Sequence, residues 1–415
     1  MNSSDFLLYI DPGTGSMLFS ILIGAAATLF FLFKALIIKV KVLVSGKKGA
    51  IQTDSSYSDY AIYNEGKQYF NVFYPILDEF EKRKIPLTYL TSVKDDPAKD
   101  RGYQFIKVQY IGEGNTAFAK LNLLSAGILL MTTPSLNVYQ LKRSKNVKHY
   151  SHILHAASDA TMYKLFGLDF FDSVLLTGDY QKKDIRFLEE KRAIKQKTLV
   201  TVGCTYLDAL KQKIDSISQK ENKNFTVLIS PSWGKSSLLC KYGESLLKPL
   251  SETSWTIIIR PHPQSKKSEP EVIEKLTQSF KNKPNVKWDY ENDNIYSLKE
   301  ADIMISDFSG IIYDFMFLCD KPVLYVNSEL DLTPYDAWDI DGGKSIWQFE
   351  TLKETAIELK SEDFPNIKEI IANASKNPEL QQKRLEAKNQ AWMFQGKAQE
   401  NVADFMIKTL SQKSN

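Results

Sequence analysis

Several apolar runs in this sequence end in polar residues that could carry chemistry. The run Ile257–Ile259 is followed by Arg260 and by His262, which stands between two prolines, in a chain that has only four histidines. Proline cannot continue a β ladder, so the apolar strand should end where the arginine and the histidine begin. In an open parallel sheet, ligands bind in the crevice beyond the carboxyl ends of the strands. A cation and an imidazole at this point suit an anionic ligand.

Two further polar turns follow apolar runs in the same part of the chain. Ser232 lies in ISPSWGKSS, and Asp307, Ser309 and Gly310 lie between the runs ADIMIS and IIYDFMFL. A helix that starts there would offer free N–H groups and a serine hydroxyl, which together suit a phosphate. Either Ser309 or Asp307 could instead be a simple N-cap of that helix.

The other three histidines lie in HYSHILHAASD. Their spacing resembles that of metal ligands, but in an alternating strand they would point to different faces, and no second ligand cluster is available, so we predict no metal site. His149 and His152 are interpreted as structural or exposed. His155 comes just before a turn of small residues, where it could face a cleft as a general base.

Length and composition limit what kind of protein positions these residues. The chain has 415 residues, of which 43% are hydrophobic and 25% charged, values typical of a globular protein of two or three domains. A net charge of +3 gives no argument for a nucleic-acid partner. Its three cysteines lie far apart, which disfavours a disulfide framework or a zinc site and indicates a reducing compartment.

Alternating strand and helix patterns predict an α/β fold with two Rossmann-like domains that face a cleft. The predicted strands of the first domain are AIYNEG, IPLTYLTS, FIKVQYIG, GILLMTTP, VKHYSHILH and SVLLTGDY. Those of the second are FTVLISPSWG, WTIIIRPHP, VKWDY, ADIMISDFSG and KPVLYV. We predict domains at 46–215 and 216–415, a polar linker near 211–224, and a closing helical segment over 379–410.

The N-terminus predicts a transmembrane helix ahead of these domains. Residues 12–33 contain no charge, and at a rise of about 1.5 Å per residue they span roughly 30 Å, enough to cross a bilayer core. A cleaved signal peptide fits poorly because the start is not basic, and a buried core helix is the other alternative. Lysines follow the run, at Lys34, Lys39, Lys41, Lys47 and Lys48. Residues 1–45 are therefore predicted to be a single-pass anchor that leaves the catalytic domains in the cytoplasm.

The motifs PSWG, RPHP, SDFSGIIYDF with KPVLYV, and HILHA resemble the CDP-glycerol glycerophosphotransferases of teichoic acid synthesis, which have the two-domain GT-B fold. The resemblance covers roughly Ser151 to Asn327, and VGCTYLDAL, with Asp208, also resembles a family segment. It implies that His155 is the base and that His262 and the helix start near Ser309 hold the pyrophosphate of the donor.

The resemblance also implies a function. The expected activity is transfer of glycerol phosphate from CDP-glycerol to a hydroxyl of a lipid-linked glycan or polyol-phosphate acceptor, with release of CMP and no cofactor. His155 and His262 are the predicted catalytic residues. The predicted donor-binding residues are Ser232, Arg260, Asp307, Ser309 and Gly310.

Two features depart from the family pattern. Ala156 stands where glycine usually follows the first histidine, and a spanning anchor replaces peripheral membrane binding. The alternatives are a GT-B glycosyltransferase that uses a nucleotide sugar and a membrane-anchored nucleotide-binding protein without turnover.

Overall fold

A computed structural model describes residues 57–218, 224–291, 293–327, 330–344 and 346–414. The predicted anchor at 1–45 lies outside these residues. Among the residues that are described, no helix is both long and apolar enough to cross a membrane.

The first half of the described chain is built on a sheet of seven strands. These are β1 Ser58–Asn64, β2 Leu87–Thr91, β3 Ile106–Tyr110, β4 Ala126–Met131, β5 Val147–Ile153, β6 Ser173–Leu176 and β7 Thr198–Thr201. Its helices are α1 Phe70–Lys82, α2 Asn115–Leu121, α3 Gln181–Lys191 and α4 Thr205–Ser216, with 3-10 turns at Lys67–Tyr69, Pro97–Asp100 and Ala160–Met162. All neighbouring strands are parallel, in the order β3-β2-β1-β4-β5-β6-β7.

The second half contains a parallel sheet of six strands. These are β8 Thr226–Ile229, β9 Thr256–Ile259, β10 Val286–Trp288, β11 Ile303–Ser306, β12 Val323–Val326 and β13 Ile357–Leu359, in the order β10-β9-β8-β11-β12-β13. The helices up to α9 are α5 Leu238–Ser251, α6 Ser265–Ser268, α7 Pro270–Phe280, α8 Ile295–Glu300 and α9 Ile311–Cys319. Those that follow are α10 Trp338–Asp341, α11 Trp347–Thr355, α12 Ile367–Ala374, α13 Pro378–Ala391 and α14 Ala398–Ser414, with a 3-10 turn at Ser361–Asn366.

Both sheets contain the strand order of a doubly wound Rossmann fold, in which the chain reverses beside the first strand of each half. The prediction of an α/β fold with two Rossmann-like halves is confirmed. The apolar runs form the central strands because helices cover both faces of a parallel sheet, so that Ile303, Met304 and Ile305 of β11 are all fully buried.

The two halves share a hydrophobic core beneath the cleft. Leu207 and Leu210 of α4 belong to the same buried cluster as Ile312 and Phe315 of α9. Protein cores are closely packed and barely compressible. The shared core therefore holds the start of α9 at a fixed position relative to the first half.

The last helix of the chain packs on the first half. The predicted closing segment forms two helices, and the second of them, α14, packs on the first half, where Val402 and Met406 share a core with Phe73 and Ile76. Asp208 fixes the break between α13 and α14. Its carboxylate accepts hydrogen bonds from Trp392 Nε1 and from the N–H groups of Gly396 and Ala398. The predicted linker also differs, since residues 211–216 belong to α4.

Candidate functional site

Helix α9 begins just after β11, and its first turn has no side-chain cap. Gly310 is the N-cap residue, with φ −61° and ψ −20°. The Ile312 N–H donates to the Ser309 carbonyl (3.2 Å) and the Tyr313 N–H to the Gly310 carbonyl (3.1 Å), whereas the N–H groups of Gly310 and Ile311 have no acceptor within the described residues. The alternative that Ser309 is the N-cap is wrong. Two free donors at a helix start favour an anion.

Asp307 and Ser232 are bonded to each other. The Asp307 carboxylate, only 1% exposed, accepts from the Ser232 N–H (2.8 Å) and hydroxyl (2.9 Å). It also accepts from the N–H of Leu238 (2.9 Å), the first residue of α5. Burial raises the pKa of Asp307, and these donors oppose the rise. Asp307 thus caps α5 and joins the turn after β8 to the turn after β11, where the Ser309 N–H also acts on its carboxylate. Direct contact of either residue with a donor substrate stays a prediction.

His262 lies in the turn after β9 as a hydrogen-bond donor. Its Nδ1 accepts from the Gln264 N–H at 3.1 Å, so in the neutral ring the proton is on Nε2. Burial lowers the pKa of His262, although the nearby carboxylates of Asp307 and Glu269 oppose this. Where the sequence suggested a positive group, the geometry favours a neutral imidazole that offers one N–H to an anion. The ring of Trp233 lies 6.3 Å from it, centroid to centroid.

The guanidinium group of Arg260, at the end of β9, forms hydrogen bonds to Asp289 and Glu291. Its Nη1 donates to Asp289 at 2.6 Å and its Nη2 to the Glu291 carbonyl at 2.7 Å. The side chains of Arg260 and Asp289 are only 12% and 15% exposed, which makes this a protected ion pair. The guanidinium charge is therefore balanced locally, and the predicted contact of Arg260 with the donor stays a prediction.

His155 lies just beyond the carboxyl end of β5 and is half-buried. Its Nδ1 is 3.3 Å from the Tyr163 hydroxyl and 3.4 Å from Thr132 Oγ1, and its ring meets that of Tyr69 edge to face, with centroids 5.2 Å apart. Nε2 of His155 makes no hydrogen bond to any residue that the structure describes. Burial lowers the pKa of His155 to about 4, so the ring is neutral at physiological pH. A neutral imidazole with a free nitrogen can accept a proton.

A cavity of about 340 Å³ brings the two halves of the site together. His155 and Tyr69 line it from the first half, and Gly310 and Asp314 line it from the second. A Cβ atom built on Gly310 would meet no other atom within 4 Å, so the space beside the start of α9 is open. The predicted base His155 and Gly310 of the predicted phosphate site thus line one cavity.

Ala156 also lines this cavity, where the family pattern has glycine. It is absent from the described residues with positive φ. Since only a left-handed conformation would favour glycine strongly, alanine introduces no backbone strain at this turn.

Asp314 and Tyr206 are cavity residues that the sequence reasoning missed. The Tyr206 hydroxyl, from α4, donates to Asp314 Oδ2 of α9 at 3.0 Å. Burial raises the pKa of Asp314 to about 7. The available signal was a single acidic residue within the otherwise apolar helix IIYDFMFLC. In its protonated form this carboxyl group can lie beside a diphosphate without strong repulsion.

Two further polar residues of the segment HYSHILHAASD have structural contacts. His149 Nε2 lies 2.8 Å from the Ser173 hydroxyl, and both side chains are buried. Asp159 accepts from the Thr161 hydroxyl at 2.6 Å and from the Trp347 N–H at 3.0 Å, so it joins the turn after His155 to the start of α11.

A larger cavity, of about 490 Å³, lies at the carboxyl ends of β1, β2 and β3. Its lining combines two ammonium groups with three carboxylates and two hydroxyl side chains. These residues are Glu65, Lys67, Lys94, Asp95, Glu113, Tyr63 and Ser92. The 3-10 turn Lys67–Tyr69 separates it from the His155 cavity, since Lys67 lines the one and Tyr69 the other.

Comparison with known proteins matches one family profile. Residues 171–408 match the family described as CDP-Glycerol:Poly(glycerophosphate) glycerophosphotransferase. The match includes β6, β7, all of the second sheet and most of α14. No protein of curated function matches the chain in sequence.

Solved structures with the same fold include the wall teichoic acid polymerase TagF. One TagF structure, described as soaked with CDPG, superposes with a TM-score of 0.57 at 13% identity, covering 92% of this chain and 98% of that one. The UDP-GlcNAc 2-epimerase of Methanocaldococcus jannaschii gives 0.56 at 15% identity, covering 84% and 99%. A putative UDP-N-acetylglucosamine 2-epimerase from Listeria monocytogenes gives 0.57 at 15% identity, covering 86% and 98%. At these identities the likeness concerns the fold alone.

Proposed function

The chain belongs to the CDP-glycerol:poly(glycerophosphate) glycerophosphotransferase family, and on that premise we propose that it transfers glycerol phosphate from CDP-glycerol to an acceptor hydroxyl and releases CMP. One observation carries the proposal. His155 from the first half and the uncapped helix start at Gly310 from the second line the same cavity. A base and an anion site in one cavity are what a hydroxyl attack on a diphosphate requires.

In the proposed reaction, the acceptor hydroxyl gives its proton to Nε2 of His155. The acceptor oxygen forms a bond to the phosphorus that carries glycerol, and the bond from that phosphorus to the bridging oxygen breaks. The electron pair of the broken bond stays on the phosphate of the departing CMP. The N–H groups of Gly310 and Ile311 and the Nε2–H of His262 are the donors proposed to stabilise that charge.

The raised pKa of Asp314 supports this placement of the diphosphate. An ionised carboxylate three residues beyond Ile311 would oppose a phosphate at the helix start. Burial raises the pKa of the Asp314 carboxyl to about 7, so a substantial fraction is protonated near neutral pH, and the hydrogen bond from Tyr206 holds it in place. The site therefore offers donors without a full negative charge.

We propose that the acceptor approaches through the cavity of about 490 Å³ beside β1–β3. Its mixed ammonium, carboxylate and hydroxyl lining suits a hydroxyl-rich acceptor, such as a glycan or polyol phosphate, because each of these groups can hydrogen-bond to hydroxyls. The uncharged N-terminal run and the lysines after it support a membrane anchor. An anchor of this kind would keep the enzyme beside a lipid-linked acceptor at the cytoplasmic leaflet.

A donor screen tests the proposed function. Full-length protein is incubated with an acceptor extract and either CDP-glycerol or a set of sugar nucleotides, and nucleotide release is measured. We expect CMP from CDP-glycerol and no release from the sugar nucleotides. Release from a sugar nucleotide alone would instead identify a glycosyltransferase, and donor binding without release under any acceptor would identify a binding protein. His155→Gln is the inactive control.

A further inference from the structure

A buried chain of hydrogen-bonding groups runs behind His155. Its Nδ1 is 3.3 Å from the Tyr163 hydroxyl, which in turn lies 3.0 Å from Nε2 of His152. His152 is fully buried, and its ring packs edge to face against those of Tyr163 and Phe171. Two imidazoles thus share one phenol hydroxyl, away from bulk water.

The Tyr163 hydroxyl has one proton, and Thr132 Oγ1 is a further partner 3.4 Å from His155 Nδ1. Two arrangements donate along the chain of three groups. In the first, His155 Nδ1–H donates to the Tyr163 oxygen, and the Tyr163 hydroxyl donates to His152 Nε2. In the second, both bonds run in the opposite direction, and His155 carries its proton on Nε2. The first leaves His155 Nε2 with a lone pair, and the second does not.

The proposed reaction selects the first arrangement, because a ring nitrogen accepts the proton of the acceptor hydroxyl only when it keeps its lone pair. In that arrangement His152 Nε2 is the acceptor for the Tyr163 hydroxyl, and the proton of His152 lies on its buried Nδ1, which makes no direct hydrogen bond within the described residues.

We propose that Tyr163, with His152 behind it, is a positioning residue that holds His155 in the Nδ1–H tautomer and so leaves Nε2 free to accept the proton of the acceptor hydroxyl. The inference rests on the proposed function for what His155 does. The tautomer can be measured without turnover.

Tyr163 is in turn held by the second half of the molecule. Its carbonyl accepts from the Asp336 N–H at 2.9 Å, and the Thr161 carbonyl accepts from the Ala337 N–H at 2.9 Å. Arg192, on the first half, donates to the Asp336 carboxylate at 2.6 Å. The residue that orients the base therefore depends on contacts between the two halves, which links the alignment of His155 to the segment next to the donor half.

The test is a nitrogen-15 NMR experiment on full-length protein with labelled histidine, in which only four imidazoles contribute signals. His155→Gln identifies the His155 signals. We expect wild-type His155 to show a protonated Nδ1 and a bare Nε2, and Tyr163→Phe to show a mixture of tautomers. Tyr150→Phe is the matched control, because Tyr150 is also buried and its hydroxyl accepts one hydrogen bond, from the Ser144 N–H. The His155 signals of Tyr150→Phe should match those of the wild type.

A second pair of variants covers the case in which Tyr163→Phe fails to fold. His152→Gln keeps an acceptor for the Tyr163 hydroxyl, whereas His152→Leu removes it and should turn His155 toward the Nε2–H tautomer. With CDP-glycerol, kcat should fall about ten- to a hundredfold in Tyr163→Phe and His152→Leu, and stay within about threefold in His152→Gln.

A wild-type His155 with its proton on Nε2, or one whose tautomer is unchanged in both Tyr163→Phe and His152→Leu, would overturn the inference. Wild-type protein that shows the expected tautomer but no CMP release from CDP-glycerol would refute the proposed function and leave the positioning role intact.

Discussion

Replacing Gly310 with alanine separates a phosphate site from a structural helix start. Gly310 has φ −61° and ψ −20°, so alanine can adopt its conformation without strain. Its position is exposed, and no atom lies within 4 Å of a built Cβ. The new methyl group would stand in the open space next to the N–H groups of Gly310 and Ile311.

The structure predicts opposite effects on stability and on donor affinity. Glycine-to-alanine changes at a compatible backbone conformation stabilise a protein by about 0.4–1 kcal/mol, because the unfolded chain loses freedom. A diphosphate displaced by the methyl group loses at least one charge-assisted hydrogen bond, about 1.5–3 kcal/mol. Since 1.4 kcal/mol corresponds to about a tenfold change in Kd, CDP-glycerol affinity should fall roughly ten- to a hundredfold.

Calorimetric titration with CDP-glycerol beside a thermal melt measures both quantities. Ser245→Ala, an exposed change on α5, is the control and should leave the affinity unchanged. A Gly310→Ala protein with a Tm equal to or above that of the wild type and undiminished affinity would refute the placement of the diphosphate at α9.

Three further predictions concern the base, the buried acid and the anchor. His155→Ala should lower kcat by about 10²–10⁴-fold with donor affinity retained, as measured by CMP release and calorimetry. Because burial raises the pKa of Asp314 to about 7, its carboxyl ionises as the pH rises through that value, so donor affinity should fall there in the wild type and stay level in Asp314→Asn. The same raised pKa means that the unfolded chain loses this proton first, so between about pH 4 and 7 the wild type should lose stability relative to Asp314→Asn as the pH rises. Protein without residues 1–45 should be soluble and still bind CDP-glycerol, and its recovery as an integral membrane protein would contradict a single anchor.

The central strands were predictable because burial on both faces demands continuous apolar residues. The runs around Ile257–Ile259 and Ile303–Ser306 form central or inner strands as expected. The strands that escaped prediction lie at sheet edges. Thr198–Thr201 is only partly buried and Ile357–Leu359 has three residues, so neither shows a strong apolar signal.

Contacts between residues that are distant in the sequence could not be predicted from sequence patterns. A sequence pattern places Asp307 and Ser232 at strand ends, but only the folded chain shows that they bond to each other, 75 positions apart. Similarly, the sequence pattern of α14 predicts a helix but does not identify the sheet that the helix covers. Periodicity identifies an apolar face, whereas the partner of that face depends on tertiary packing.

His155 could be selected from the sequence as a candidate base, but the groups that contact its ring could not. His155 was identified from its place after a strand and before small residues. Tyr163 and Thr132 carry no pattern of their own, and they reach His155 from a neighbouring turn and from the end of β4. Asp314 is the single acidic residue in an apolar helix, which is a weak sequence signal. Only the structure shows that this residue lines the cavity with His155.

The most direct measurement is the stoichiometry of transfer from CDP-glycerol to a hydroxyl-rich acceptor, followed by mass spectrometry of the acceptor and quantification of CMP in the same reaction. Wild-type protein should add one glycerol phosphate unit for each CMP released, and His155→Ala should do neither at a comparable rate. CMP released without a gain in acceptor mass, or equal transfer by the wild type and His155→Ala, would contradict the account.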